Sequence, residues 1–160
     1  MASTKTIKAR GVYKTKIHSA LFNTKILEVI LDNFSTKTDA EKIAGFKTHV
    51  KSHLFVDETI VDAGTYVFYD VIIPSFSTRL KDCKIKMWAI CHRDIIDTFS
   101  KDGYYGNRAD ILSEMIEEVL LDDSVVDNFG IGKINLESVD IYNSYKFYGT
   151  ILTFNICDFR

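Results

Sequence analysis

The chain has 160 residues, 46% of them hydrophobic and 26% charged, with one proline and eight glycines. That composition excludes a fibrous or disordered polymer, and a chain of this length can bury about 70% of its extended surface without a metal or disulfide staple. Twenty basic residues against 22 acidic ones give a net charge of −2, which excludes a molecule-wide positive field for non-specific nucleic-acid binding but allows a local basic patch.

The first segment, residues 1–16 (MASTKTIKARGVYKTK), carries six basic residues and no acid, with few large apolar groups. It reads as a flexible basic arm preceding a single α+β domain over residues 17–160. Lys5, Lys8, Arg10, Lys14 and Lys16 are its candidate contacts to a partner. From Ile17 to Phe34 the apolar residues Ile17, Ala20, Leu21, Leu27 and Leu31 keep helical spacing. Phe22, Ile26, Val29 and Ile30 widen the stripe enough to predict a helix packed on two sides. Asp39 is a candidate cap for a second helix from Ala40 to about Val50, with Glu41 favoured in its first turn. Residues 53–64 show no period and read as an extended loop.

Tyr66 to Ile73 (YVFYDVII) is aromatic and β-branched, apolar on both alternating faces except at Asp70, as expected of a strand covered on both sides. Pro74 is expected to end it. Cys83 to His92 alternates strictly, with Cys83, Ile85, Met87, Ala89 and Cys91 on one face and Lys84, Lys86, Trp88, Ile90 and His92 on the other, so the two runs should form an antiparallel hairpin. Gly103 to Gly106 breaks the chain. Asn107 then caps a helix predicted over Arg108 to Leu121, whose stripe is Ile111, Leu112, Met115, Ile116, Val119 and Leu120. Two further strands, Gly132 to Tyr142 and Lys146 to Phe159, close the chain. The phase of Ile134 and Leu136 against Val139 and Ile141 predicts a bulge near Glu137-Ser138. Two hairpins bracketing a helix imply a two-layer α+β fold with helices packed on one face of the sheet.

The residues capable of chemistry do not converge in sequence. Cys83, Cys91 and Cys157 lack CxxC spacing and lie in apolar segments, so buried reduced thiols are expected. His49 and His53 are four apart but lack the glutamate and third ligand of a zinc site, and read as a surface pair. Cys91 and His92 point to opposite faces of a strand, which disfavours a nucleophile and base pair. The sharpest enzymatic alternative is a Mg²⁺-dependent nuclease in which Asp70 and Asp82 hold the cation and Lys84 steadies developing charge. No cofactor or metal is expected, nor an enzymatic activity. No apolar run approaches the ~20 residues that span a bilayer, and no signal-type stretch follows the basic start, so a cytosolic protein without a membrane partner is expected.

What stands out is aromatic surplus: eight Tyr, eleven Phe and one Trp. Tyr104, Tyr105, Phe129, Tyr142, Tyr145, Phe147 and Phe159 fall in loops or near strand ends, where aromatic side chains commonly anchor protein interfaces.

The run from Gly130 to Val139 (GIGKINLESV), the segment Tyr148 to Phe154 (YGTILTF) and the pair Asp158-Phe159 resemble the end of small virion proteins of tailed bacteriophages. Ser52 to Phe55, Asp57 to Thr59 and Tyr66 to Val71 are similar to the preceding part of that family, so the resemblance covers residues 50–159. Such proteins are described as tail terminator, tail completion or neck proteins. The resemblance implies a sheet flanked by helices and a homo-oligomeric ring, expected as a hexamer, stacked between connector and tail tube. It brings no catalytic residues. The chain departs from the family pattern before Ile17 and from Phe34 to Val50. Expected partners are therefore copies of itself, connector or neck proteins, the tail-tube protein and DNA in the channel. The expected location is the virion neck, reached from the host cytoplasm during assembly. A non-viral protein-binding adaptor is the remaining alternative. The terminal strand through Phe159 is the candidate edge for pairing between subunits.

Overall fold

The structure, a computed structural model, describes residues 6–56, 63–77, 80–122 and 134–159, those at 76, 80, 81 and 157–159 by backbone alone. Four helices, α1 (Thr6–Leu21), α2 (Thr24–Ile30), α3 (Asp39–His49) and α4 (Arg108–Leu121), accompany five strands, β1 (Val50–Lys51), β2 (Thr65–Phe76), β3 (Leu80–His92), β4 (Asn135–Asn143) and β5 (Phe147–Phe159). The strands form one sheet in the order β1-β2-β3-β5-β4. Only β1 and β2 run parallel; the other pairs are antiparallel. This is the expected α+β architecture, with two hairpins interlocked because β5 returns between β3 and β4.

The helices share one face of the sheet. Val67, Tyr69 and Val71 of β2, Cys83, Ile85, Met87 and Ala89 of β3, and Leu152, Phe154 and Ile156 of β5 enter a single core with Ile17, Leu21, Ile26, Ile111, Leu112 and Ile116. Strand alternation therefore supplies one layer and helical periodicity the other. The α4 stripe is buried as its spacing predicts. Asn107 completes a capping box, accepting from the Asp110 amide while the Asp110 carboxylate accepts from the amide of Asn107.

Where the chain departs from expectation, local chemistry explains it. Residues 6–16 are not a flexible arm: they begin α1, which runs on across the expected boundary at Ile17. Ala9, Tyr13, Ile17 and Ala20 are buried, and their spacing of three and four places them on one narrow stripe. Lysines and threonines around that stripe mask it in composition. The single helix expected from Ile17 to Phe34 is two helices. The chain breaks at Phe22-Asn23, where Asn23 turns extended and its side chain caps α2 by accepting from the Lys25 amide. Thr38, not Asp39, caps α3, accepting from the Glu41 amide.

Pro74 does not end β2. Pairing with β3 skips between Ile72 and Ser75 and resumes to Phe76, so the proline sits in the irregularity, where no ladder hydrogen bond is required of it. β3 correspondingly starts at Leu80 and not at Cys83. The bulge expected near Glu137-Ser138 is present as a register shift between Leu136 and Ser138. The terminal strand is not an edge: β5 pairs with β3 from Phe147 to Phe159 on one side and with β4 on the other. The short β1, two residues long, falls below the length at which hydrophobic period can be read.

Candidate functional site

The two margins of the sheet are built differently. Along β2 the outward backbone is occupied. His49 at the end of α3 donates from Nδ1 to the Thr65 carbonyl at 2.7 Å, and β1 covers Val67 and Phe68. Beyond β1, Arg10 of α1 donates through Nε to the Val71 carbonyl at 2.6 Å. Asp70 turns back to accept from the Val71 amide at 2.9 Å and from Arg10 at 2.7 Å and Lys14 at 2.8 Å. Lys14 also donates to the Ser52 carbonyl. Burial pushes the Asp70 carboxyl up, yet the Lys14 and Val71 hydrogen bonds and the charges of Lys14 and Arg10 outweigh it, and its pKa lies below the ordinary value. The basic segment is thus a seal over a sheet edge.

Along β4 the described residues place no strand or helix outside. The helix layer lies over β3 and β5 through α4. Val139 and Ile141 share the helix-side row through their partners Leu152 and Thr150, but they project past that layer and are 59% and 69% exposed. Ser138, Asp140 and Tyr142 alternate on the opposite face. Glu137, displaced by the bulge, reaches Lys84 at 2.9 Å.

The face without helices carries a second, smaller cluster of Phe68, Ile90 and Phe147, with Val56, Tyr66, Trp88 and Tyr142 packed against it. Tyr66 stacks on His49 with ring centroids 4.9 Å apart and lies parallel to Phe68 at 6.0 Å. A pocket of about 210 Å³ opens between this cluster and the chain after β1, lined by Lys51, Phe55, Val56, Tyr66, Phe68 and Phe147 among others.

The aromatic residues proposed from sequence separate into distinct environments. Tyr105 and Tyr145 are 83% and 90% exposed, free surface groups as expected. Phe147 is the reverse, 1% exposed, because strand alternation turns it into the second cluster; it cannot anchor a partner. Tyr104 is engaged within the molecule, donating to Glu118 at 2.8 Å and accepting from Lys25 at 3.1 Å. Tyr142 is half-buried against the second cluster. Phe129 lies outside the described residues, as do Asp57 to Thr59 and Gly130 to Lys133 of the phage-like runs. Phe159 contributes its backbone pairing with Leu80. Of the basic candidates, Lys5 is outside the described residues and Lys8 is exposed. Lys16 is half-buried, while Arg10 and Lys14 are spent on Asp70.

The nuclease trio does not assemble. Asp70 is held by two cations, and Lys84 is paired with Glu137. Asp82 lies four positions along β3 from Lys86, the residue opposite Asp70. Among the described residues, no three His, Cys, Asp or Glu side chains come together to hold a metal ion, and no described helix is long and apolar enough to cross a membrane. Cys83 and Cys91 are free and buried, as expected, and burial pushes the Cys91 thiol up despite a hydrogen bond from Thr65.

Two histidines read from sequence as surface or isolated groups are structural. His49 is mostly buried against Tyr66, and His18 meets the Tyr69 hydroxyl at 2.9 Å and the edge of Phe46. Burial, first, lowers both pKa values. Arg108 was not legible as a special residue. It is 8% exposed, donates to the Val29 carbonyl at the end of α2, and also reaches Thr65 and Thr98. Its position after a helix cap suggested only the first residue of α4.

No match to the chain is found among curated proteins. The family model YomW matches residues 16–156, and the chain belongs to that family. The family's name comes from a Bacillus phage-like gene, which makes this a phage-associated protein.

Proposed function

We propose that this YomW family member is a non-enzymatic structural protein of a tailed-phage virion. In this reading it forms a homo-oligomeric ring, a hexamer as the resemblance implies, at the junction of head and tail. It binds connector or neck proteins on one side and tail-tube protein on the other, and reaches the virion from the host cytoplasm. The observation that carries the reading is the unsealed β4 margin, where Val139 and Ile141 stand in solvent beside unpaired strand backbone. A long apolar strand edge is a liability that monomeric proteins blunt, and a surface left so is the natural seat of a protein partner. Tyr145, at the turn joining β4 to β5, adds an aromatic group of the kind that anchors interfaces. The phage link of the family supports a virion setting over a non-viral adaptor. DNA contact is the least supported part of the proposal, because Arg10 and Lys14 already neutralise Asp70.

Light scattering after size-exclusion chromatography tests it, with the protein alone and mixed with the connector and tail-tube proteins of the same genome. The expected result is a ring-sized species alone or on mixing. A monomer under both conditions overturns the reading.

A further inference from the structure

We propose that β4 pairs antiparallel with β4 of a second copy across a two-fold axis through Asp140, fusing two five-stranded sheets into one. This rests on the reading above that copies associate, and it names the contact by which they do so.

The first argument is elimination. Strand addition needs an edge on each partner. The β2 edge is closed by His49, β1, Arg10 and Asp70, so a copy cannot lay its β4 there without displacing α1 and its ion pairs. Among the described residues β4 is the remaining edge, and an edge that can meet only itself generates a two-fold, isologous contact.

The second argument is register. A two-fold axis normal to the sheet keeps each face on its own side, so helix-side residues must oppose helix-side residues. The bulge at Glu137 interrupts alternation, which leaves Ser138 to Asn143 as the regular stretch. Within it, Val139 and Ile141 stand symmetrically about Asp140. Centring the axis there sets each Val139 opposite the partner copy's Ile141, twice over, and each Ser138 opposite a Tyr142. Shifting the axis by one residue toward either end sets an apolar side chain against Asn143 or against the bulge. The self-matching pattern of the strand therefore selects one register, and it covers the two side chains that the helix layer leaves bare.

The same register brings the two Asp140 carboxylates face to face on the other side of the sheet. Like charges directly opposite weaken a strand pair, so Asp140 restrains an association that the apolar row favours. Removing its charge tightens the pair and adds nothing to the fold of one molecule.

Sedimentation equilibrium of the full chain tests the contact, using wild type, Ile141→Lys and Asp140→Asn, with circular dichroism to verify that each variant is folded. Wild type is expected to show dimer or multiples of dimer, Ile141→Lys to weaken association roughly tenfold or more, and Asp140→Asn to tighten it roughly threefold. Spin labels placed singly at 138, 140 and 143, in a background with Cys157→Ser, are expected to show the shortest distance between copies at 140. Association that neither substitution changes, with no distance minimum at 140, overturns β4 pairing and leaves self-association standing. A wild-type monomer that forms a complex with connector or tube protein, lost in Ile141→Lys, assigns the strand to a different partner and also overturns it. A monomer under every condition overturns both this contact and the ring.

Discussion

The β2 and β4 margins belong to one sheet and are treated in opposite ways. At β2 the chain spends a helix, a histidine and an ion triplet on a few backbone groups, while at β4 it spends nothing and leaves two branched apolar side chains in water. Both strands present the same liability. The difference shows that edge protection here is selective, and that the unprotected side is the one with a further use.

The largest test of that contrast removes the seal. Ile17→Ala empties a fully buried position under α1 and is expected to cost about 3 kcal/mol in urea unfolding. By loosening the helix that covers β2, it should also produce concentration-dependent aggregates that wild type lacks. Aggregation unchanged at equal loss of stability would mean that α1 is core and not shield.

A smaller effect comes from the ions. Asp70→Asn keeps the shape but removes the charge that Arg10 and Lys14 share, and about 1 kcal/mol is expected at neutral pH, discounted because the group is partly exposed. With its folded pKa below the model value of 3.8, Asp70 stabilises the fold above that value. The contribution is lost as pH falls through the lower folded pKa. The substitution should therefore flatten the acid limb of a stability profile, and an unchanged limb would remove Asp70 from the seal.

His18 and His49 act in a different window. Both have folded pKa values below 6.5, so the unfolded chain binds more protons just below that pH and stability declines as pH falls through it. Urea midpoints measured from neutral to mildly acidic pH should drift downward. His49→Asn should reduce that drift, because an amide can still donate toward Thr65 without titrating.

The smallest change in fold stability belongs to the open margin. Ile141→Lys is expected to leave the unfolding free energy of the monomer within about 0.5 kcal/mol of wild type. A large loss would show that Ile141 is held by its own chain, and the contrast between the two margins would fail.

Much of this arrangement was readable beforehand, and the limits are physical. α4 was legible to the residue because a full apolar stripe follows a capping residue. The bulge in β4 was legible because a change of phase in a two-residue period has few other meanings. The seal was not, since Ala9, Tyr13 and Ile17 make a stripe one residue wide, and Lys14 and Asp70 are joined across 56 positions of chain. Phe147 shows the same limit from the other side: closeness to a turn suggested exposure, but the burial of a strand residue depends on which face the sheet assigns it. The β4 edge was missed in favour of the last strand because sequence order does not reveal that β5 returns between β3 and β4.

Gly149 determines how faithfully that open margin is presented. A Cβ at this position would run into the Ala89 carbonyl oxygen and come within 2.7 Å of Ile90 Cα. Only a hydrogen atom therefore fits where β5 crosses β3. Sliding β5 by one pleat repeat would bring Phe147 or Ile151 into that gap, so the hairpin has a single seating. Val139, Asp140 and Ile141 inherit that seating through β5, and a glycine buried at the middle of the sheet acts as the alignment pin for a surface two strands away.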